Sequence, residues 1–268
     1  MNETINQDVL GRIQEGLDAA VEALKPFVPG AVKTEYKSHG DPVTEADRVV
    51  DHLLHNLLVR DGEGWLSEES ADNLERLEKD RVWIVDPLDG TREFVEGIPE
   101  WCVSIALVEK GKAIAGGIAN PATEETFLGL AGSGLLYNRK PAKPTARTSL
   151  ADATVLASRS EVKRGEWKEF EGGVFSVRPM GSIAYKLARV AAGLADVTWT
   201  LTPKHEWDVA AGVALVEAAG GMVTTLAQAP LAFNNASALL PGLIASGAAL
   251  RKELASFLAP YLAETTSR

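Results

Sequence analysis

The sequence predicts a mixed fold in two parts, an α+β first half built on antiparallel strands and an α/β second half. Three observations carry this reading. Two pairs of apolar runs joined by glycine-bearing turns, 102–108 with 113–119 and 125–131 with 135–138, read as hairpins. Beyond the Pro-rich stretch 141–145, short apolar runs alternate with helical stretches, the pattern of an α/β unit. Hydrophobic residues make up 46% and charged residues 24% of the 268, so a substantial core is affordable. The boundary falls at the Pro-rich break, giving an N-terminal α+β domain over 1–143 and a C-terminal α/β domain over 144–268.

Leu10, Ile13, Leu17, Ala20, Val21 and Leu24 recur at helical spacing, predicting an opening helix that ends near 26–30. A polar loop around 37–41 follows. Thr44 then caps a second helix whose expected buried stripe is Ala46, Val49, Val50, Leu53, Leu54 and Leu57. Residues 65–67 read as extended and place Glu68 and Glu69 at their end, while the polar run 72–79 reads as a surface turn or short helix. The run 81–89 is a buried strand that delivers Asp86 and Asp89 onto a turn shaped by Pro87 and Gly90, with a helix start at Thr91. In the second half, 154–157, 197–200 and 243–246 read as strands. Helices are expected over 185–191, over 209–219 with a stop at Gly220-Gly221, and over 248–262.

Charge and cysteine usage narrow the function. With 37 acidic against 27 basic residues the net charge is −10, which argues against general binding to nucleic acid or a membrane surface. Cys102 is the only cysteine and lies in an apolar run, so no internal disulfide is possible and a buried structural thiol is expected. The N-terminus lacks the apolar core of a signal peptide and no run approaches a membrane span, so a cytoplasmic protein is expected.

Four acidic clusters stand at element boundaries: Asp41 with Asp47, Glu68-Glu69, Asp86 with Asp89, and Glu206-Trp207-Asp208. Each has a structural reading alone, as an Asx turn, a solvated pair or a helix-terminal charge. Together they form an oxygen-rich, imidazole-poor donor set suited to hard divalent cations, and four histidines with no clustered pair among the probable site segments make zinc a poor fit. Hard cations beside a helix start suit phosphoryl chemistry with an activated water. The spacing Asp-x-x-Asp-Gly-Thr differs from the Asp-x-Asp-x-Thr of phosphatases with an aspartate nucleophile, so these carboxylates read as ligands.

The stretches Asp41-Pro-Val-Thr-Glu-Ala-Asp47, Ser67-Glu-Glu-Ser70, Trp83-Ile-Val-Asp-Pro-Leu-Asp-Gly-Thr91 and Trp207-Asp-Val-Ala-Ala-Gly212 resemble the signatures of the inositol monophosphatase superfamily. The resemblance implies a layered αβαβα sandwich of the inositol monophosphatase and fructose-1,6-bisphosphatase type, and a lithium-sensitive, Mg²⁺-dependent phosphomonoesterase with two or three ions, Mn²⁺ being a possible substitute. Carried over by position, it implies Glu68, Asp86 and the Leu88 carbonyl at a first metal, and Asp86, Asp89 and Asp208 at a second. It implies further that Thr91, linked to Asp47, orients a water with Glu69 as supporting base, and that the N–H groups of Gly90 and Thr91 bind phosphate.

Where the family usually has Gly before the glutamate pair, this chain has Ser67. Arg92-Glu93-Phe94, the stretch 157–160, Gly181-Ser-Ile-Ala-Tyr-Lys186 and Glu206 resemble the 3′(2′),5′-bisphosphate nucleotidase branch, which removes the 3′-phosphate of 3′-phosphoadenosine 5′-phosphate. That resemblance makes Arg159, Gly181, Ser182, Tyr185 and Lys186 candidate substrate-binding residues. The loop 97–101 resembles inositol- and histidinol-phosphate phosphatases at least as well, so an inositol-1-phosphatase, or a histidinol or sugar phosphate phosphatase, is the alternative. A non-catalytic regulatory protein on the same fold is the alternative of a different class. A small phosphorylated substrate is the expected partner, and a homodimer is possible by analogy.

Overall fold

Strand Arg81–Asp89 is the spine of the larger sheet, and its buried run Val82–Val85 explains why it lies inside rather than at an edge. The computed structural model describes residues 3–36, 42–170 and 172–265. Among these, a seven-stranded sheet runs in the order Gly64–Ser67, Arg81–Asp89, Cys102–Glu109, Lys112–Asn120, Glu125–Leu130, Gly134–Tyr137 and Lys140–Ala142. The first pair is parallel and every later pair antiparallel, so both predicted hairpins are present.

Helices Glu3–Leu24 and Glu45–Leu58 cover one face of this sheet, and Ile183–Ala191 with Glu206–Ala218 cover the other. Small residues on strand Lys112–Asn120 let both layers come close, since a side chain at Gly116 would strike the Ala211 backbone and one at Gly117 would strike Ile13. The second helix pair also packs on a five-stranded sheet, ordered Ser176–Met180, Thr154–Ser158, Val197–Thr200, Leu243–Gly247 and Gly221–Thr225. Its first three strands are parallel, and Leu243–Gly247 is antiparallel to both neighbours. Leu254 and Leu258 of the last helix, Arg251–Thr265, pack with Trp167, Phe170 and Trp199 on its outer face. The five layers form the αβαβα arrangement expected.

Several details differ from the sequence reading. On helix Glu45–Leu58 the buried stripe is Ala46, Asp47, Val50, Asp51, Leu54 and Leu58, while Val49 is exposed and Leu53 and Leu57 are half-buried. The stripe is rotated because this helix turns two carboxylates as well as its apolar residues toward the sheet. Strand Lys140–Ala142 carries Pro141, and strand Ser176–Met180 carries Pro179. Both are edge strands, where a missing N–H is tolerated and alternation is weak, so neither shows in the local pattern. Strand Gly221–Thr225 is masked in sequence by the helix-stop glycines that open it. Helix Glu206–Ala218 starts three residues before the expected position, which puts Asp208 inside its first turn. Asp41 lies outside the described residues. Among the described residues, no helix is long and apolar enough to cross a membrane.

Candidate active site

Residues three apart on a regular strand face opposite sides, so Asp86 and Asp89 need a local irregularity to act together. The structure supplies it. Asp86 pairs with Ser104 and Asp89 with Cys102, so three steps on one strand oppose two on the other, and this bulge brings both carboxylates to one side. Asp86 is buried, and its Oδ1 accepts from the Leu88 N–H at 3.0 Å. Gly90 ends the bulge at φ +95°, and a Cβ there would stand 2.8 Å from the Glu100 carbonyl oxygen. Gly90→Ala is therefore expected to destabilise the protein by about 1–3 kcal/mol through backbone strain and contact. Thermal unfolding beside the parent chain checks this, and a loss below about 0.5 kcal/mol would show that the turn relaxes freely.

Helix starts aim the remaining carboxylates. Asp47 is the third residue of helix Glu45–Leu58, and its Oδ2 accepts from the N–H and hydroxyl of the capping Thr44 at 2.8 and 2.7 Å. Asp208 holds the same position in helix Glu206–Ala218, accepting from the His205 N–H at 2.9 Å. Asp89 accepts from the Ser182 hydroxyl at 2.6 Å and the Ala184 N–H at 2.7 Å at the start of helix Ile183–Ala191. Three helix N-termini thus face the acidic cluster and offset part of its charge.

Carboxylate oxygens of Glu68, Asp86 and Asp208 all lie within 4.8 Å of one another. Burial pushes Asp86 well above the usual aspartate range, and the charges of Glu68, Asp89 and Asp208 add to the effect. Asp208 is pushed well up by burial, then by Asp89 and Glu68. Asp89 is raised by burial but moderated by its Ser182 and Ala184 hydrogen bonds and by Lys186 and Lys204. Carboxylates crowded together and raised chiefly by burial form a receiver for a divalent cation, and the all-oxygen set fits a hard ion.

Thr91 Oγ lies 3.1 Å from Asp47 Oδ1 and 2.9 Å from the Leu88 carbonyl oxygen. A hydroxyl has one proton, so it donates to one acceptor at a time and keeps lone pairs to accept from a water. Burial raises the Asp47 carboxyl, with hydrogen bonds from Thr44 and Thr91 opposing the shift.

A cavity of about 330 Å³ unites Glu68, Asp86, Asp89, Gly90, Thr91, Gly181, Ser182, Lys186 and Asp208. Lys186 is buried with Nζ donating to the Met180 carbonyl at 3.3 Å, and burial lowers its pKa to about 8. Gly181 is needed because the Glu93 side chain packs where a Cβ would be, 2.4 Å from Cδ. Cys102 is buried with Sγ 3.3 Å from Ser182 Oγ, and burial pushes its thiol well up, in keeping with a structural role.

Other candidates lie elsewhere. Tyr185 turns into the core, where its hydroxyl bonds Glu125 and lies 3.0 Å from Arg189 Nη1. Arg159 pairs with Glu100 at 2.5 Å, and Glu100 also accepts from the Gly181 N–H at 2.8 Å. Neither residue lines the cavity. Glu69 is half-buried near Arg48 and is also absent from the lining. Leu88 buries its side chain and presents its carbonyl to Thr91. Glu206 accepts from the N–H groups of Asn234 and Asn235 at 2.7 and 2.9 Å, so it clamps a loop. Sequence reasoning missed Arg164 and Lys204, which line the cavity with Arg92 and Glu93. No local pattern marks Arg164 or Lys204, since each arrives through packing of the second half.

The model of the inositol monophosphatase family matches residues 7–265. The chain belongs to that family. It is 37% identical over 204 residues to an inositol-1-monophosphatase of Mesorhizobium japonicum, covering 73% of this chain and 76% of the relative. The inositol monophosphatase of Anabaena superposes with a TM-score of 0.78 at 29% identity, covering 95% and 96% of the two chains. The family member CysQ of Bacteroides thetaiotaomicron superposes with a TM-score of 0.75 at 27% identity, covering 90% and 98%. Family and relatives make the chain a phosphatase for small phosphorylated substrates, in a metal-dependent family, and Glu68, Asp86 and Asp208 form an acidic cluster that could hold a metal ion. The nucleotidase branch is not singled out: inositol monophosphatases stand among the relatives, with CysQ as a structural neighbour.

Proposed function

We propose that this protein is a Mg²⁺-dependent phosphomonoesterase acting on inositol-1-phosphate. The observation that supports the chemistry is the meeting of Glu68, Asp86 and Asp208 with the Thr91–Asp47 pair around one cavity. Glu68, Asp86, Asp89 and Asp208 are the residues that would hold the metal, with the Leu88 carbonyl beside them. The chemistry such an ion would supply there is a lowered pKa for an attacking water and neutralisation of the phosphoryl oxygens. Thr91 orients the attacking water by accepting its proton in a hydrogen bond while donating to Asp47, which holds the hydroxyl in that direction. The Gly90 and Thr91 N–H groups open helix Thr91–Glu96 toward the same space and serve the phosphate oxygens. Lys186 and Ser182 border it and contribute charge and a fixed Asp89.

The inositol ester is preferred on two grounds. Several relatives carry that name, among them that of Mesorhizobium japonicum, and Tyr185 and Arg159, the groups that an adenine and a second phosphate would call for, lie outside the cavity. One observation favours 3′-phosphoadenosine 5′-phosphate as a second reading. Arg92, Arg164, Lys186 and Lys204 line the same cavity, more positive charge than a single phosphate ester requires. Matched assays with Mg²⁺ separate the two. Inositol-1-phosphate is expected to have a kcat/KM at least about tenfold higher, roughly 1.4 kcal/mol of transition-state preference. A tenfold preference for the bisphosphate nucleotide would reverse the assignment.

A further inference from the structure

Ser67 stands just before the glutamate pair, and the structure shows a partner for its hydroxyl. Asp51 lies on helix Glu45–Leu58, four residues beyond Asp47, and is buried beneath the Ser67–Ser70 turn. Its Oδ1 accepts from Ser67 Oγ and its Oδ2 from Ser70 Oγ, both at 2.5 Å. The two serines bracket Glu68 and Glu69. Ser70 Oγ also accepts from Trp65 Nε1 at 3.3 Å, and Ser67 Oγ lies 3.4 Å from the Glu69 N–H. One carboxylate therefore spans both ends of the turn that carries the glutamates. Each carboxylate oxygen accepts from one serine hydroxyl, a charge-assisted pair that fixes both hydroxyls in direction.

We propose that Asp51 is a positioning residue that holds the Glu68–Glu69 turn in register for divalent cation binding. This rests on the reading of Glu68 as a metal-holding residue. Helix Glu45–Leu58 then serves the site twice as one rigid body, with Asp47 aiming Thr91 and Asp51 anchoring the opposite wall. The clamp also gives Ser67 a purpose in this chain, since glycine at that position would leave Asp51 with a single hydroxyl.

The test is Mn²⁺ binding to the metal-stripped full-length protein, followed by the electron paramagnetic resonance signal of free Mn²⁺. Asp51→Ala is expected to weaken binding about tenfold or more, the scale found for residues that orient metal ligands. At saturating Mg²⁺ its kcat is expected to recover to within about threefold of the parent, because the turn is restored by the ion it holds. Replacing Ser67 by Gly and Ser70 by Ala together is expected to reproduce the loss, with little added by Asp51→Ala, since all three act through one contact. Unchanged Mn²⁺ affinity with a lowered melting temperature would assign Asp51 a purely structural role and overturn the proposal. Should Asp51→Ala fail to fold, the double replacement of Ser67 by Gly and Ser70 by Ala removes the same two contacts, and parent-like affinity in that variant equally overturns it. Glu68→Gln separates the layers of the argument: unchanged binding there sinks the metal reading, whereas weakened binding there with none in the Asp51 variants sinks this inference alone.

Discussion

Asp86→Asn is expected to lower kcat/KM by at least about 10³, roughly 4 kcal/mol of transition-state stabilisation, while raising the melting temperature of the metal-free protein. Both effects have one origin. Asp86 is buried among Glu68, Asp89 and Asp208, each of which disfavours its charge. The amide retains the acceptor for the Leu88 N–H and removes the charge, so the metal-free fold is relieved of repulsion. About 1 kcal/mol of relief corresponds to roughly 2–4 °C in a chain of this size. The same change takes away an anionic donor from the cation site. Activity and stability moving in opposite directions is the signature of a site that trades stability for function. Steady-state kinetics with Mg²⁺ and melting in a chelator measure the two, and a kcat/KM within tenfold of the parent would remove Asp86 from the metal site.

Metal removal is the second large effect. Chelation is expected to abolish hydrolysis, and saturating Mg²⁺ is expected to stabilise the fold by about 2.7 kcal/mol at a hundredfold excess over Kd. That gain depends on pH in a direction the carboxylates set. Asp86, Asp89 and Asp208 all have folded-state pKa values raised above the ordinary 3.8. Their contribution to the stability of the metal-free protein is fully present below that value and is lost as pH rises through the raised ones. The metal-free protein therefore gains stability from these groups on acidification, whereas protons compete with the cation for the same oxygens. The melting-temperature gain from Mg²⁺ is expected to be largest near pH 8 and to shrink toward pH 5. A gain that is constant or larger at pH 5 would place the cation elsewhere.

Much of the site was legible before folding because its parts coincide with local punctuation. Thr44 is a helix cap by residue type, Asp47 follows three residues later, and the Asp86–Thr91 run contains its own turn residues. The bulge that makes Asp86 and Asp89 neighbours is not legible, since register belongs to a pair of strands. The fate of Tyr185 and Lys186 shows the same limit on a helix. Consecutive helical residues point about 100° apart, so neighbours in sequence can be sent to different surroundings. Lys186 does, while Tyr185 faces Glu125 and Arg189 in the core. Arg159 reads as a substrate contact by resemblance, yet it already has a protein partner in Glu100.

The sequence by itself determined the donor chemistry. Oxygen ligands, a scarcity of histidine and the Asp-x-x-Asp-Gly-Thr turn are properties of residue type and short spacing, which survive without coordinates. Only the tertiary structure decided which charges share the cavity. Glu68, Asp86 and Asp208 meet across 140 residues of chain because a strand bulge and a distant helix start converge on them, and Arg164 and Lys204 arrive beside them through packing of the second half. Such convergence depends on how layers of opposite halves stack around a common core, and burial in that core is what raises the carboxylates and readies them for a cation.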